Sequence, residues 1–394
     1  MRQSEVAPHL RPYLVPVEGK PNVCAMIAPP TPRQIPPGSG RLGGTASSAL
    51  AHLAGAMSGW PDPDVLTRTL ARREAVQSSQ IEGTRTELDE LLTYEITRSA
   101  DGLPPDVRIT QHYVEALQHG LDAVRRDGRQ ALTLGLVNAI HAVLMEDERT
   151  PRGQYRDIQA WIGSGRIEDA RYVPTPPHCI AECMRELEQS MLQYEAHEEE
   201  QGELSVLAQM AIAHAQFETI HPYEDGNGRT GRILMPLILA AEGLPPLYLS
   251  GMLMRNRAGY YDALNQVQLR GEWGPWMDMV SRAVIESAGD VLVLAEDLRR
   301  ILADWEGQLQ VYRRDAVARR LPSHLVEHPV VNAKQVAEIL GVSLRAALTG
   351  IDELVGLGIL SPKDERRWGR VFHAEAVLER LNQAPSRPSN LPRL

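Results

Sequence analysis

The sequence predicts a mainly α-helical protein with a β-hairpin near its middle and a winged helix-turn-helix unit close to its C-terminal end. Three observations predict this. Apolar residues recur at three- and four-residue intervals from near Thr45 to about residue 318, the period of helices with one buried face. Short β-like segments, Ile158 to Ile162 and Arg171 to Val173, flank Gly163-Ser164-Gly165-Arg166, which reads as a hairpin turn. Near the end, Asn332 to Leu340, then Gly341-Val342-Ser343, then a helical run to about Val355 spell helix-turn-helix, and β-like residues from Ile359 to Phe372 complete a wing.

Bulk properties narrow the class. A chain of 394 residues accommodates two or three domains and a sizeable core. Its net charge of -10 and pI near 5.7 advertise no global affinity for nucleic acid or an anionic membrane. Cys24, Cys179 and Cys183 are odd in number and not spaced as a disulfide framework, which suits a reducing cytoplasm. His178 beside Cys179 and Cys183 lacks a convincing fourth metal ligand. No basic-then-apolar leader opens the chain, and the most apolar run, Ile233 to Leu249, is cut by Pro236, Glu242, Pro245 and Pro246, so no membrane span is expected.

Taken in order, residues 1–44 are a proline-rich arm, with Tyr13, Leu14 and Val15 as points that pack on the body. Residues 45–125 are an N-terminal helical region. Helices are expected from Thr45 through Met57, from Pro63 past Val76, from Glu87 to Glu95, and over about 109–125 after a Gly-Leu-Pro-Pro break. Residues 126–320 form the core, with a helix over about 133–146 whose apolar stripe includes His141, read as a core histidine. An amphipathic helix covers 178–200, an apolar one Leu204 to Ile220, and further helices about 275–318. The winged helix occupies 321–384, and residues 385–394 are a disordered tail.

The chemistry concentrates in His221-Pro222-Tyr223-Glu224-Asp225-Gly226-Asn227-Gly228-Arg229-Thr230-Gly231-Arg232. An apolar helix ends at His221, Pro222 and the glycines force a tight loop, and a new helix opens at about Gly228. Glycine frees backbone N–H groups to face a ligand, and a helix N-terminus adds unpaired donors and partial positive charge, so the loop is an anion cradle suited to phosphate. Arg229 and Arg232, three apart, share one helix face where two guanidinium forks hold consecutive phosphates. Asp225 is a hard oxygen ligand suited to Mg2+ bridging those phosphates. Histidine titrates near neutral pH, so His221 at the rim can take a hydroxyl proton.

This segment resembles the signature of the Fic (filamentation induced by cAMP) family, His-Pro-Phe-x-Asp/Glu-Gly-Asn-Gly-Arg-x-x-Arg, with Tyr223 in place of the usual Phe. The resemblance implies a Fic-type helical bundle with a hairpin flap, and adenylyl transfer from ATP to a hydroxyl of a target protein. It implies that His221 is catalytic, that Asp225 holds Mg2+, and that Gly226, Asn227, Gly228, Arg229, Thr230, Gly231 and Arg232 bind ATP. Met254 to Leu264 is similar to the family segment around the nucleoside, so Asn256 and Tyr260 or Tyr261 are expected at the adenine and ribose; helix packing of the tyrosines is the rival reading. Ser78-Ser79-Gln80-Ile81-Glu82-Gly83 is similar to the family's inhibitory motif, in which Glu82 competes for Arg232 and Ser78 and Gly83 place the helix end. The flap is expected to seat an extended target segment by strand addition.

The winged helix carries Lys363, Arg366, Arg367 and Arg370 on its wing, but Asp352 and Glu353 oppose Arg345 on its second helix. Dimerisation or target docking is favoured over DNA contact, and a homodimer is left open. Two alternatives stay open for the site: removal of AMP or transfer of another nucleotide, and a nucleotide-sensing DNA-binding regulator.

Overall fold

The computed structural model describes residues 1–34, 42–58, 63–163, 165–196, 203–363 and 370–383. The expected disordered tail and the wing's Arg366 and Arg367 lie outside them. Helices dominate, in chain order α1 Gly43–Met57, α2 Pro63–Ile81, α3 Leu88–Thr97, α4 Val107–Asp127, α5 Leu134–Leu144, α6 Pro177–Leu187, α7 Val206–Ile220, α8 Asn227–Ala241, α9 Ser250–Arg255 and α10 Arg257–Asn265. They continue as α11 Gly274–Leu309, α12 Val317–Arg320, α13 Ala333–Leu340, α14 Leu344–Gly356 and α15 Glu375–Asn382. The strands are β1 Leu14–Pro16, β2 Cys24–Met26, β3 Ile162–Gly163, β4 Ala170–Tyr172, β5 Val330–Asn332, β6 Ser361–Pro362 and β7 Val371–His373. No helix among the described residues is long and apolar enough to cross a membrane.

By internal contacts the chain divides into two units, Met1–Ala54 with His112–Ser287 and Gly55–Gln111 with Ala288–Leu394. The first is built around α7, in which every residue from Leu207 to Ile220 is buried. A helix with no solvent face must satisfy its polar side chains internally. Gln209 Nε2 donates to the Leu204 carbonyl, Gln216 Nε2 to Pro29, and Thr219 Oγ1 to Ala215. The Ser205 hydroxyl caps the first turn by accepting from Ala208 N–H. α8 packs along α7, and α4 approaches so closely that a Cβ at Gly120 would lie 2.6 Å from Leu237 Cδ1.

Two antiparallel hairpins lie in the same unit. β3 pairs with β4 at the expected flap, but pairing begins at Ile162 rather than Ile158. Side chains take the carbonyls that a longer ladder would use: Arg156 Nη1 donates to Ile158 and Gln159 Nε2 to Ala160 and Pro174. The proline-rich N-terminal segment folds further than an extended arm. It forms β1–β2, joins the flap through Met26 N–H to the Val173 carbonyl, and buries Met1, Val6, Leu10 and Met26 with Ile167, Ala170 and Tyr172.

The second unit contains α2, α3, the C-terminal part of α11 and the winged helix. The latter follows the expected pattern, a sheet of order β5-β7-β6 with α13 and α14 between β5 and β6. Asn332 and Ser343 cap the two helices with side-chain oxygens, and Gly341, at φ +64, turns the chain between them. A Cβ at Gly350 would lie 2.3 Å from Val317 Cγ1, so that glycine lets α12 and α14 touch. Buried or half-buried ion pairs tie the unit, Arg73 to Asp290 and Arg380 to Asp297, both at 2.6 Å.

Candidate active site

α7 ends at His221, whose left-handed backbone (φ 51, ψ 64) turns the chain sharply into the loop. A non-glycine residue there costs about 1–2 kcal/mol and persists only where its surroundings impose it. Arg156 imposes it. Its Nε donates to the His221 carbonyl at 2.9 Å, its backbone N–H to Pro222 at 3.0 Å, and its Nη2 to Thr175. Arg156 is 3% exposed, and burial lowers its pKa to about 10, so it remains a cation at neutral pH.

The loop is fastened from below by α5. Gly153 N–H donates to His141 Nδ1 at 2.9 Å, which therefore carries no proton, so Nε2 does and donates to the Asp225 carbonyl at 3.0 Å. The His141 ring stacks on Tyr223, and burial pushes its pKa down to about 4. Tyr223 is fully buried, and its hydroxyl, absent from the usual Phe, donates to Asn138 Oδ1 at 2.6 Å. Asn227 closes the loop on itself, accepting from Tyr223 N–H and donating to the Tyr223 carbonyl, both at 2.9 Å. Gly226 needs its glycine twice over: its φ is +76, and a Cβ would sit 2.7 Å from Met145 Sδ.

α8 opens at Asn227, bringing Arg229, Thr230 and Arg232 into its first turns, all 5% exposed or less. Among the described residues, Arg229 Nε and Nη1 are buried without a hydrogen-bond partner, as is Thr230 Oγ1. Arg229 Nη2 reaches Asp225 at 3.8 Å, while the Asp225 side chain stays 59% exposed at the loop surface. The loop thus joins an imidazole, an exposed carboxylate and buried guanidinium groups at one helix N-terminus, a set that can bind a polyphosphate and abstract a proton.

Two residues that sequence reasoning passed over complete the surroundings. Glu218, one turn before His221, is 7% exposed with Oε2 3.7 Å from His221 Nδ1. Burial alone would raise its carboxyl pKa; His221, His214 and Arg232 outweigh that and hold it low. Its three-residue offset from His221 was a legible signal. Arg156 carried none, because its partners are carbonyls distant in sequence.

The nucleoside candidates differ in placement. Asn256 is exposed at the break between α9 and α10 and lies over Gly259, where a Cβ would meet its amide at 2.6 Å. Tyr260 is buried against Trp276, and its hydroxyl meets His214 Nε2 at 2.9 Å, so it braces α7; Tyr261 is half-buried beside it, with Arg257 over its ring. His214, stacked on Trp276, is thereby a packed core histidine. In the other unit, Ser78 is buried in the last turn of α2, Glu82 follows it exposed, and Gly83 has φ +103. His112, Glu115 and Glu146 form the one metal-type cluster among the described residues, and the cysteines are free.

Residues 41–122 match the family model described as Fic/DOC family N-terminal, and residues 131–239 match Fic/DOC family. The chain is 29% identical over 140 residues to protein adenylyltransferase fic-1 of Caenorhabditis elegans, covering 36% of this chain and 24% of that one. It is 29% identical over 154 residues to protein adenylyltransferase Fic of Nematostella vectensis, covering 39% and 32%. The matched segment thus spans about a quarter to a third of these relatives' length. A crystal structure of a Fic family protein from Desulfovibrio desulfuricans G20 shares the fold, with TM-score 0.53 and 19% identity over 87% of this chain and 98% of that one.

Proposed function

We propose that this chain, whose residues 41–122 and 131–239 match the Fic/DOC family models, is a protein adenylyltransferase, moving AMP from ATP to a Tyr, Thr or Ser hydroxyl of a target protein and of itself. The carrying observation is the buried pair of Arg229 nitrogens, Nε and Nη1, without a partner among the described residues at the N-terminus of α8. Leaving a buried donor unmade costs about 1–3 kcal/mol, and a phosphate oxygen is the acceptor that a guanidinium and a helix N-terminus both favour.

In this reading Arg229, Arg232 and the loop N–H groups hold the phosphates, and the walls of the site keep water out. His221 takes the target hydroxyl proton as the oxygen attacks the α-phosphorus; the bond to the β-phosphate bridging oxygen breaks and pyrophosphate leaves. Asp225, an exposed carboxylate beside the cradle, fits as the ligand of Mg2+. That ion would supply charge neutralisation of the phosphates. The target lies along the β3–β4 flap as an added strand. Asn256 and Tyr261 meet the nucleoside, while Tyr260 supports the wall. The free cysteines fit a reducing cytoplasm. An intact His221 favours transfer over nucleotide sensing alone, which needs no base.

On the motif resemblance, we extend the reading to self-inhibition: Glu82 competes with the γ-phosphate for Arg232, since both want the same bidentate donor. Ser78 and Gly83 shape the helix end that presents it.

The test is peptide mass spectrometry after incubation with isotope-labelled ATP and Mg2+. An AMP adduct on a hydroxyl side chain is expected, falling by about a hundred- to ten-thousand-fold in His221→Ala while ATP binding persists. No adduct on the parent, on Glu82→Gly or on any added protein overturns the reading.

A further inference from the structure

Among the buried polar side chains of α7, Glu218 stands apart. Gln209, Gln216 and Thr219 each reach a carbonyl and His214 reaches Tyr260; Gln209 Oε1 and His214 Nδ1 are buried without a partner among the described residues, as is Glu218 Oε1, but Glu218 is the carboxylate of the set. His221 Nδ1 is likewise buried and unpartnered, and it lies 3.7 Å from Glu218 Oε2. The Glu218 carboxylate therefore faces a buried, prospective donor through Oε2, one turn away and beside the proposed reacting centre, while its Oε1 stays buried. Desolvating a carboxylate is costly unless it serves a partner.

We infer that Glu218 is the positioning residue for His221, holding its Nδ1–H so that Nε2 presents the lone pair that accepts the target's hydroxyl proton. The inference rests on the adenylylation reading. Two constraints aim the pair. The left-handed backbone of His221, clamped through its carbonyl by Arg156, fixes where the imidazole leaves the chain. On the other side, Glu218 packs so tightly on α8 that a Cβ at Gly231 would be 3.2 Å from Oε1, which leaves the carboxylate little room to turn away. The charged and titratable groups facing the pair are His214 on α7, Arg232 on α8 and Arg156 behind the loop. His221 itself, His214 and Arg232 favour an ionised Glu218, the form that accepts from Nδ1–H and stabilises the imidazolium produced when the proton arrives.

The experiment compares the parent, Glu218→Gln and His221→Ala in the full chain. Glu218→Gln is expected to lower kcat about ten- to a hundredfold, less than the loss in His221→Ala, with ATP KM unchanged. The acid limb of its kcat/KM profile should move to lower pH, because the variant lacks the negative charge that favours imidazolium. A residue that merely fills space would not move that limb. Independently of any transfer, 15N-edited NMR of the parent should report the His221 tautomer protonated at Nδ1. A Glu218→Gln variant with the parent's rate and pH profile, or a parent His221 protonated at Nε2 alone, overturns the inference. If neither the parent nor Glu82→Gly transfers AMP, the adenylylation reading fails instead, and the NMR result still decides the pairing. Should Glu218→Gln fail to fold, the parent tautomer alone decides.

Discussion

His141 stacks on Tyr223 with ring centroids 3.7 Å apart and planes 10° from parallel, and the same ring donates to the carbonyl of Asp225. One side chain on α5 thereby fixes both ends of the motif loop. It does so as a neutral imidazole, because Nδ1 must stay unprotonated to accept from Gly153.

That arrangement makes stability depend on pH. Burial lowers the His141 pKa from 6.5 to about 4, so unfolded chains take a proton over a range in which folded chains do not. The contribution is full above pH 6.5 and is lost progressively as pH falls to about 4, with an amplitude of about 3 kcal/mol. His141→Gln should lower stability at pH 7 and flatten the acid dependence over that interval. Denaturant midpoints for both proteins from pH 7 to pH 4 check this, and parallel curves would sink it.

The Tyr223 hydroxyl has a stability role separable from chemistry. Its 2.6 Å bond to Asn138 Oδ1 is half-buried, so Tyr223→Phe should cost about 1 kcal/mol. The ring, its stack on His141 and the Asn227 bonds to its backbone all remain. Chemical denaturation should register the loss, while labelling by ATP stays at the parent's rate; a strong drop in labelling would show that the hydroxyl does more than hold α5.

Self-inhibition predicts non-additivity. Glu82→Gly should raise initial self-labelling well above that of the parent, and Glu82→Gly combined with Arg232→Ala should lose the gain. Rates with radiolabelled ATP and Mg2+ for the four proteins provide the check. If Glu82→Gly labels no faster than the parent, the inhibitory assignment is wrong.

The winged helix is expected to dock protein rather than DNA. Its second helix, α14, exposes Leu344 at 55% and Leu348 at 44% and carries Asp352 beyond them, while the wing's Lys363 is engaged by Asp89 at 3.0 Å. Gel shifts with duplex DNA across a salt series should show no specific complex. A complex that weakens steeply with salt, and again in an Arg366→Ala, Arg367→Ala double variant, would restore the DNA reading.

What the sequence determined by itself was whatever local rules govern. The helix–loop–helix at His221 followed from Pro222 and the glycines, the winged helix from its caps and Gly341, and the placement of Arg229 and Arg232 in the first turns of one helix from their three-residue spacing. Most helix limits shifted by a few residues because caps decide them: Thr133, not apolar period, starts α5. The helix expected over 178–200 instead ends at Leu187 and passes into a π-helical turn to Leu192, and 197–200 lie outside the described residues. The tertiary structure decided what depends on pairing across distance. Arg156 reaches the His221 carbonyl from 65 residues away and His141 reaches the Asp225 carbonyl from 84, and a backbone acceptor leaves no mark on the sequence that names its donor. The same holds for the N-terminal hairpin, whose prolines forbid a long helix but whose place beside the flap is set by Met26 and Val173. Tyr260 shows the limit most directly: an aromatic near a nucleotide motif reads as a stacking face, but burial against Trp276 and a bond to His214 turn it into a brace for α7.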